Sequence, residues 1–175
     1  MDYIKGIISL VGAEGAEIPA YSRGVRGEPA GGLPEGYRRL VEELGGFVVD
    51  GVVAVMPPES VLLYERSHDP RLAGSERRVT VDDGYAMKLG PRRGDEEIDH
   101  DRMQKWAEAR VENGWSIFWE YSQPETRIVV TDYFEYFVYP MQPDEFLYKL
   151  LTRRLDCRPL IDADWPGERF EAAFL

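Results

Sequence analysis

Leu33-Pro34-Glu35-Gly36-Tyr37-Arg38-Arg39-Leu40-Val41-Glu42-Glu43-Leu44-Gly45-Gly46, followed directly by Phe47-Val48-Val49-Asp50-Gly51-Val52-Val53-Ala54-Val55-Met56, is the stretch from which the fold is read. Pro34 suits the opening of a helix, because its missing N–H would find no intrahelical partner there and its φ is already helical. Tyr37, Leu40, Val41 and Leu44 then recur at the spacing that lines one helical face, and Gly45-Gly46 ends the segment. The period next changes from helical to extended: two runs rich in valine flank Asp50-Gly51, a pair that tolerates positive φ in a two-residue turn, so a tight hairpin is predicted. Pro57-Pro58 closes the hairpin, and Glu59 to Tyr64 is expected as a short helix with an acidic first turn.

Working outward, Ile4, Ile7, Ile8 and Val11 predict a first short helix stopped by Gly12, and residues 13–32 read as a loop. Residues 65–84 carry turn-forming His68-Asp69-Pro70 and Asp82-Asp83-Gly84 and read as irregular, with a strand expected over Tyr85 to Leu89. Met103, Trp106, Ala107, Arg110 and Val111 fit helical spacing, with Asp99 or Asp101 as N-cap and Gly114 as stop. Trp115, Ile117, Trp119 and Tyr121 alternate with Ser116, Phe118 and Glu120, and Gln123-Pro124-Glu125 turns the chain into Arg127 to Thr131. Asp132 to Tyr139 is expected as a third strand. Pro143 opens a last helix whose apolar side is Phe146, Leu147, Leu150, Leu151 and Leu155, and the tail 156–175 is expected to pack through Trp165, Phe170 and Phe174. These elements predict a single α+β domain over 1–175, with a mixed or mainly antiparallel sheet flanked by helices.

The pattern in Leu33 to Gly46 resembles the signature of the SUKH superfamily: a Leu-Pro, a Tyr three residues after the Pro, a helix, and a Gly-Gly that leads into a hairpin. The order that follows is also similar, down to a C-terminal helix like Pro143-Asp144-Glu145-Phe146-Leu147-Tyr148-Lys149-Leu150-Leu151. Residues 67–113 carry no counterpart of the family pattern. The resemblance implies an α+β protein that works by binding another protein: many bacterial members are immunity proteins that neutralise toxins, often nucleases or deaminases, and fungal relatives regulate cell-wall synthesis.

Composition narrows the partner. A net charge of −11 and a pI near 4.7 oppose binding to phosphate backbones, whose affinity comes from Lys and Arg displacing counterions, so no nucleic-acid partner is expected. The same charge steers encounter with a basic protein, such as a basic toxin enzyme. No apolar run reaches the roughly 20 residues that cross a bilayer, and Ile4 to Val11 lacks the basic flank and cleavage site of a signal peptide. Cys157 has no second cysteine to pair with, which fits a reducing compartment and a cytoplasmic location.

Catalytic readings are weaker. Asp99-His100-Asp101 lacks a further ligand pair at suitable spacing, so no metal is expected, and Cys157 with His68 or His100 would need distant parts of the chain to meet. Phosphate-binding, dinucleotide and serine-hydrolase motifs are absent, so neither a cofactor nor a catalytic residue is expected. Glu120 and Asp132 could form a carboxylate pair for hydrolysis if both faced one cleft. The preferred reading places Trp119, Glu120, Asp132, Tyr133 and Glu135 on a half-exposed sheet as an aromatic and acidic contact surface for a basic partner.

Overall fold

A computed structural model of the chain describes residues 1–17, 32–58, 60–61, 78–81, 96–99, 102–110, 114–120, 126–132, 136–161 and 165–175. It is an α+β fold of one domain. Three helices, α1 (Tyr3–Leu10), α2 (Glu35–Leu44) and α3 (Pro143–Leu151), pack on one another and on one face of a sheet. The sheet is antiparallel throughout. Its strands are β1 (Phe47–Val49), β2 (Val53–Val55), β5 (Met103–Ala109), β6 (Trp115–Glu120), β7 (Arg127–Thr131), β8 (Tyr136–Tyr139) and β9 (Ala172–Phe174). They lie in the order β8-β7-β6-β5-β2-β1-β9, and a separate two-stranded ribbon pairs β3 (Arg78–Val81) with β4 (Glu96–Asp99).

The decisive stretch folds as its residues dictate. Pro34 stands immediately before α2, its carbonyl accepting from the Arg38 N–H at 2.9 Å, and Gly45 caps the other end at φ 66°, a left-handed conformation that glycine adopts without strain. Tyr37, Leu40, Val41 and Leu44 are all buried beneath the helix. In the hairpin, Asp50 and Gly51 take φ of 52° and 69°, and the Val52 N–H donates to the Val49 carbonyl at 2.8 Å. The ladder then resumes at Val49↔Val53, which leaves Val52 outside it, with its carbonyl accepting from the Arg110 N–H at 2.7 Å on the neighbouring strand.

Glycines set the distances between helices. A Cβ on Gly36 would overlap the Asp144 carboxylate on α3, and one on Gly6 of α1 would overlap the ring of Tyr148. These two positions let the helices approach closely enough for their apolar stripes to share one core with Trp106, Trp119, Tyr139 and Phe146.

Several expectations are corrected. The segment around Trp106 is strand β5 and not a helix. Its ladder pairs Lys105 with Phe118 and Ala107 with Ile117, so Trp106 is an extra residue bulged out of register. The bulge turns Trp106 and Ala107 to the same, helix-covered face, both fully buried. Adjacent apolar residues on one face are what a helix produces and a regular strand does not, which is how the bulge imitates helical spacing. Asp99 therefore ends β4 instead of capping a helix, and Gly114, at φ 67°, stands immediately before β6. Residues 78–81, expected as irregular, form strand β3. The third strand of the aromatic region is seen over Tyr136–Tyr139; Asp132, expected to begin it, is a bend, and 133–135 lie outside the described residues. Pro58, Ser60 and Val61 form a helical turn, with the Val61 N–H donating to the Pro57 carbonyl at 3.2 Å. The expected strand over 85–89, and most of the loops over 13–32 and 65–84, lie outside the described residues.

The sheet is covered on both faces where β6, β7 and β8 lie. On the far side from the helices, Ile98 of β4 is buried with Phe118, Val129, Tyr136 and Val138, and Met103 packs against them. Every residue of β6 is consequently buried, polar ones included. Among the described residues, no helix is long and apolar enough to cross a membrane.

Candidate functional site

The five residues expected at a partner surface do not share one. Trp119 lies on the helix-covered face at 0% exposure, its ring tilted against that of Tyr37 at 5.0 Å. It fills the core and offers no area to a partner. Glu120, one residue on, points to the other face but is only 2% exposed, because the β3–β4 side of the sheet is covered as well. Its carboxylate is bound by Arg127, directly opposite on β7, whose Nε donates to Oε2 at 2.8 Å and whose Nη2 approaches the same oxygen. Asp132 follows the end of β7 and is half-buried. Tyr133 and Glu135 lie outside the described residues.

The same register separates the two carboxylates of the hydrolytic reading. Glu120 faces Arg127, and Asp132 stands five residues further along that strand. At about 3.4 Å per residue, this puts the two positions roughly 17 Å apart. That is well beyond the roughly 5–10 Å separations at which two carboxyl groups flank one scissile bond. Glu120 and Asp132 do not converge on one cleft.

Cys157 is fully buried; burial pushes its thiol up to about 12 even though the Tyr139 hydroxyl is within hydrogen-bonding reach, so it carries no thiolate at neutral pH. Asp99 belongs to a strand end, while His68, His100 and Asp101 lie outside the described residues. Among the described residues no three metal-ligating side chains gather.

What the tertiary structure assembles instead is a polar joint at the N-terminal ends of the three helices. Asp2, the N-cap of α1, accepts from Arg39 of α2 at 2.9 Å, and the other arm of that guanidinium lies 3.8 Å from Asp144 of α3. Gln142, just before α3, accepts from the Gly36 N–H at 3.2 Å and donates to Thr126 Oγ1 at 2.9 Å, which joins α2 and α3 to the start of β7. Carboxylates beside helix N-termini are favoured by the exposed N–H groups there. Asp144 is nonetheless so enclosed that desolvation outweighs its bond from the Glu145 N–H and the Arg39 charge, and its carboxyl is held above the usual range. Sequence reading missed this joint; a glycine in the first turn of α2 and a glutamine before Pro143 were its only traces.

A second polar link joins α2 to the hairpin. The Tyr37 hydroxyl donates to the Met56 carbonyl at 2.7 Å, and the Met56 N–H in turn donates to the Trp106 carbonyl at 2.8 Å. Tyr37 thereby connects the helix to β2 and β5 while its ring packs on Trp106 and Trp119. Among the described residues the two indole N–H groups beside it find no acceptor.

No protein-family model matches the chain, and no curated protein or solved structure is significantly similar to it.

Proposed function

We propose that the chain is a non-catalytic binding protein of the SUKH type, an immunity protein that neutralises a toxin enzyme in the cytoplasm by direct contact. The observation that carries this reading is the Leu33–Gly46 pattern. Leu33 is buried, α2 follows its proline, Tyr37 locks the helix to the hairpin, and Gly45-Gly46 delivers the chain into β1. The net charge of −11 supports a basic partner, whose approach it accelerates and whose positive active-site rim it complements. Of the five expected contacts, Asp132 is the one that the described structure leaves partly accessible, which supports a contact surface at the end of β7; Tyr133 and Glu135 lie outside the described residues.

The test is functional rescue. A large toxin gene is expected beside this one; co-expression of the two should restore growth of cells that the toxin alone kills, and the two proteins should co-purify. Asp132→Lys should weaken that complex at least tenfold while leaving the fold intact. A neighbourhood without a toxin gene, together with capture of a cellular regulator from the native host, would replace the immunity reading with that of a regulatory scaffold.

A further inference from the structure

Residues 165–175 run back along the sheet, with Trp165 and Phe170 buried in the core, and one side chain fastens both ends of the stretch that leads into the last strand. Asp50, at the tip of the first hairpin, accepts from Trp165 Nε1 at 3.0 Å through one carboxylate oxygen and from the Glu171 N–H at 2.7 Å through the other. Its own N–H donates to the Glu171 carbonyl at 2.8 Å. Beyond this latch, Ala172–Phe174 pairs with β1, and the Leu175 N–H donates to the Gly46 carbonyl at 2.8 Å. One further bond, from Arg153 Nε to the Pro166 carbonyl at 2.8 Å, steadies the approach.

The strand that this segment covers has none of the usual protection of a sheet edge. Phe47-Val48-Val49 holds no charge, no proline and no bulge, and all three residues are buried. An uncovered edge of this composition is a template for another strand. β9 itself is three residues long and only partly buried, with Ala172 and Phe174 resting against the core and none of its residues inside it.

We infer that residues 171–175 are a detachable strap, latched by Asp50, and that the β1 edge beneath it is a pairing surface for a second copy of this chain. The occupant follows from the backbone. The groups now satisfied by the strap at the two ends of β1 are the Gly46 carbonyl and the Asp50 N–H. A second β1, running antiparallel about a two-fold axis through Val48, brings its own Asp50 N–H to that carbonyl and its own Gly46 carbonyl to that N–H. The edge is thus complementary to itself, as an isologous interface requires. This inference is independent of the toxin-binding reading.

Asp50→Gly separates the latch from the turn, because glycine keeps the left-handed backbone while both carboxylate acceptors disappear. Hydrogen exchange on the full chain should show amides of 171–175 exchanging at least tenfold faster, as expected for the loss of two charge-assisted bonds, with the Ile128–Val130 ladder unchanged. Asp50→Asn, which retains one acceptor oxygen, should fall between. Light scattering coupled to size exclusion should show the Asp50→Gly protein passing from one chain to two as concentration rises. Unchanged exchange at 171–175 overturns the latch. Equal acceleration in Ile128–Val130 overturns a separately opening strap. A loosened strap with a mass that stays at one chain, or that grows without stopping at two, overturns the two-fold pairing.

Discussion

Replacing Tyr37 by phenylalanine removes one oxygen and tests the joint on which the fold turns. The hydroxyl is within 2.7 Å of the Met56 carbonyl, in a side chain with 0% exposure, so water cannot enter to replace it. The ring and its packing against Trp106 and Trp119 survive in the variant, so no cavity of consequence opens. What is lost is one buried hydrogen bond, with a carbonyl left short of a donor, a change that costs about 1–2 kcal/mol. For a chain of this length each kcal/mol moves the melting temperature by about 2–4 °C, so the expected drop is roughly 2–8 °C. Urea unfolding followed by tryptophan fluorescence should show a lower midpoint with an unchanged slope, because the surface exposed on unfolding stays the same. Tyr37→Ala, which adds a cavity, should cost about 3–5 kcal/mol. A Tyr37→Phe protein as stable as the parent would refute the claim that this bond ties α2 to the sheet.

Four further outcomes follow from the same structure. Gly36→Ala should destabilise the protein although alanine is the better helix former by about 1 kcal/mol, because the new methyl meets the Asp144 carboxylate; thermal melts decide the sign. Asp144 has its carboxyl raised by burial, so the folded state holds its proton more tightly than the unfolded one. Its contribution is therefore largest below the ordinary carboxyl value of 3.8 and is lost as pH rises through the folded value, and Asp144→Asn should flatten this dependence and raise stability at pH 7. Arg127→Leu removes the guanidinium bound to the buried Glu120 carboxylate and should cost on the order of 3–5 kcal/mol, whereas the double variant Glu120→Leu/Arg127→Leu should recover much of the loss in a double-mutant cycle. Burial raises both Tyr37 and Tyr139, so stability should hold up to the ordinary phenol value of 10.0 and fall above it; the part of the phenolate absorbance that Tyr37→Phe and Tyr139→Phe remove should appear together with unfolding and not before it.

How far these residues could be read without coordinates differs from element to element. The helix stripes were legible because each ends in a residue with a stated backbone role, such as Gly45, or opens on one, such as Pro143. The turn at Asp50-Gly51 was legible for its positive φ, but Asp50 as the anchor of residues 165–175 was not, since the partners lie more than a hundred positions away. Strand β5 was misread because one bulged residue shifts the side-chain period, and apolar spacing alone cannot distinguish that shift from a helical turn. The contact surface was misjudged at Trp119 and Glu120 for a different reason. Alternation shows which residues share a face of a strand, and it carries no information on whether a second layer covers that face.

Local chemistry in this sequence determined where the chain bends, which residues line one side of each helix, and that an acidic α+β domain results. The tertiary structure alone decided that the far side of β6 is closed by Ile98, that Glu120 is held by Arg127 instead of facing a partner, and that Glu120 and Asp132 lie at opposite ends of a strand pair. The physical reason is range: propensity and periodicity act over a few residues, while burial and ion pairing depend on segments that only the folded chain brings together.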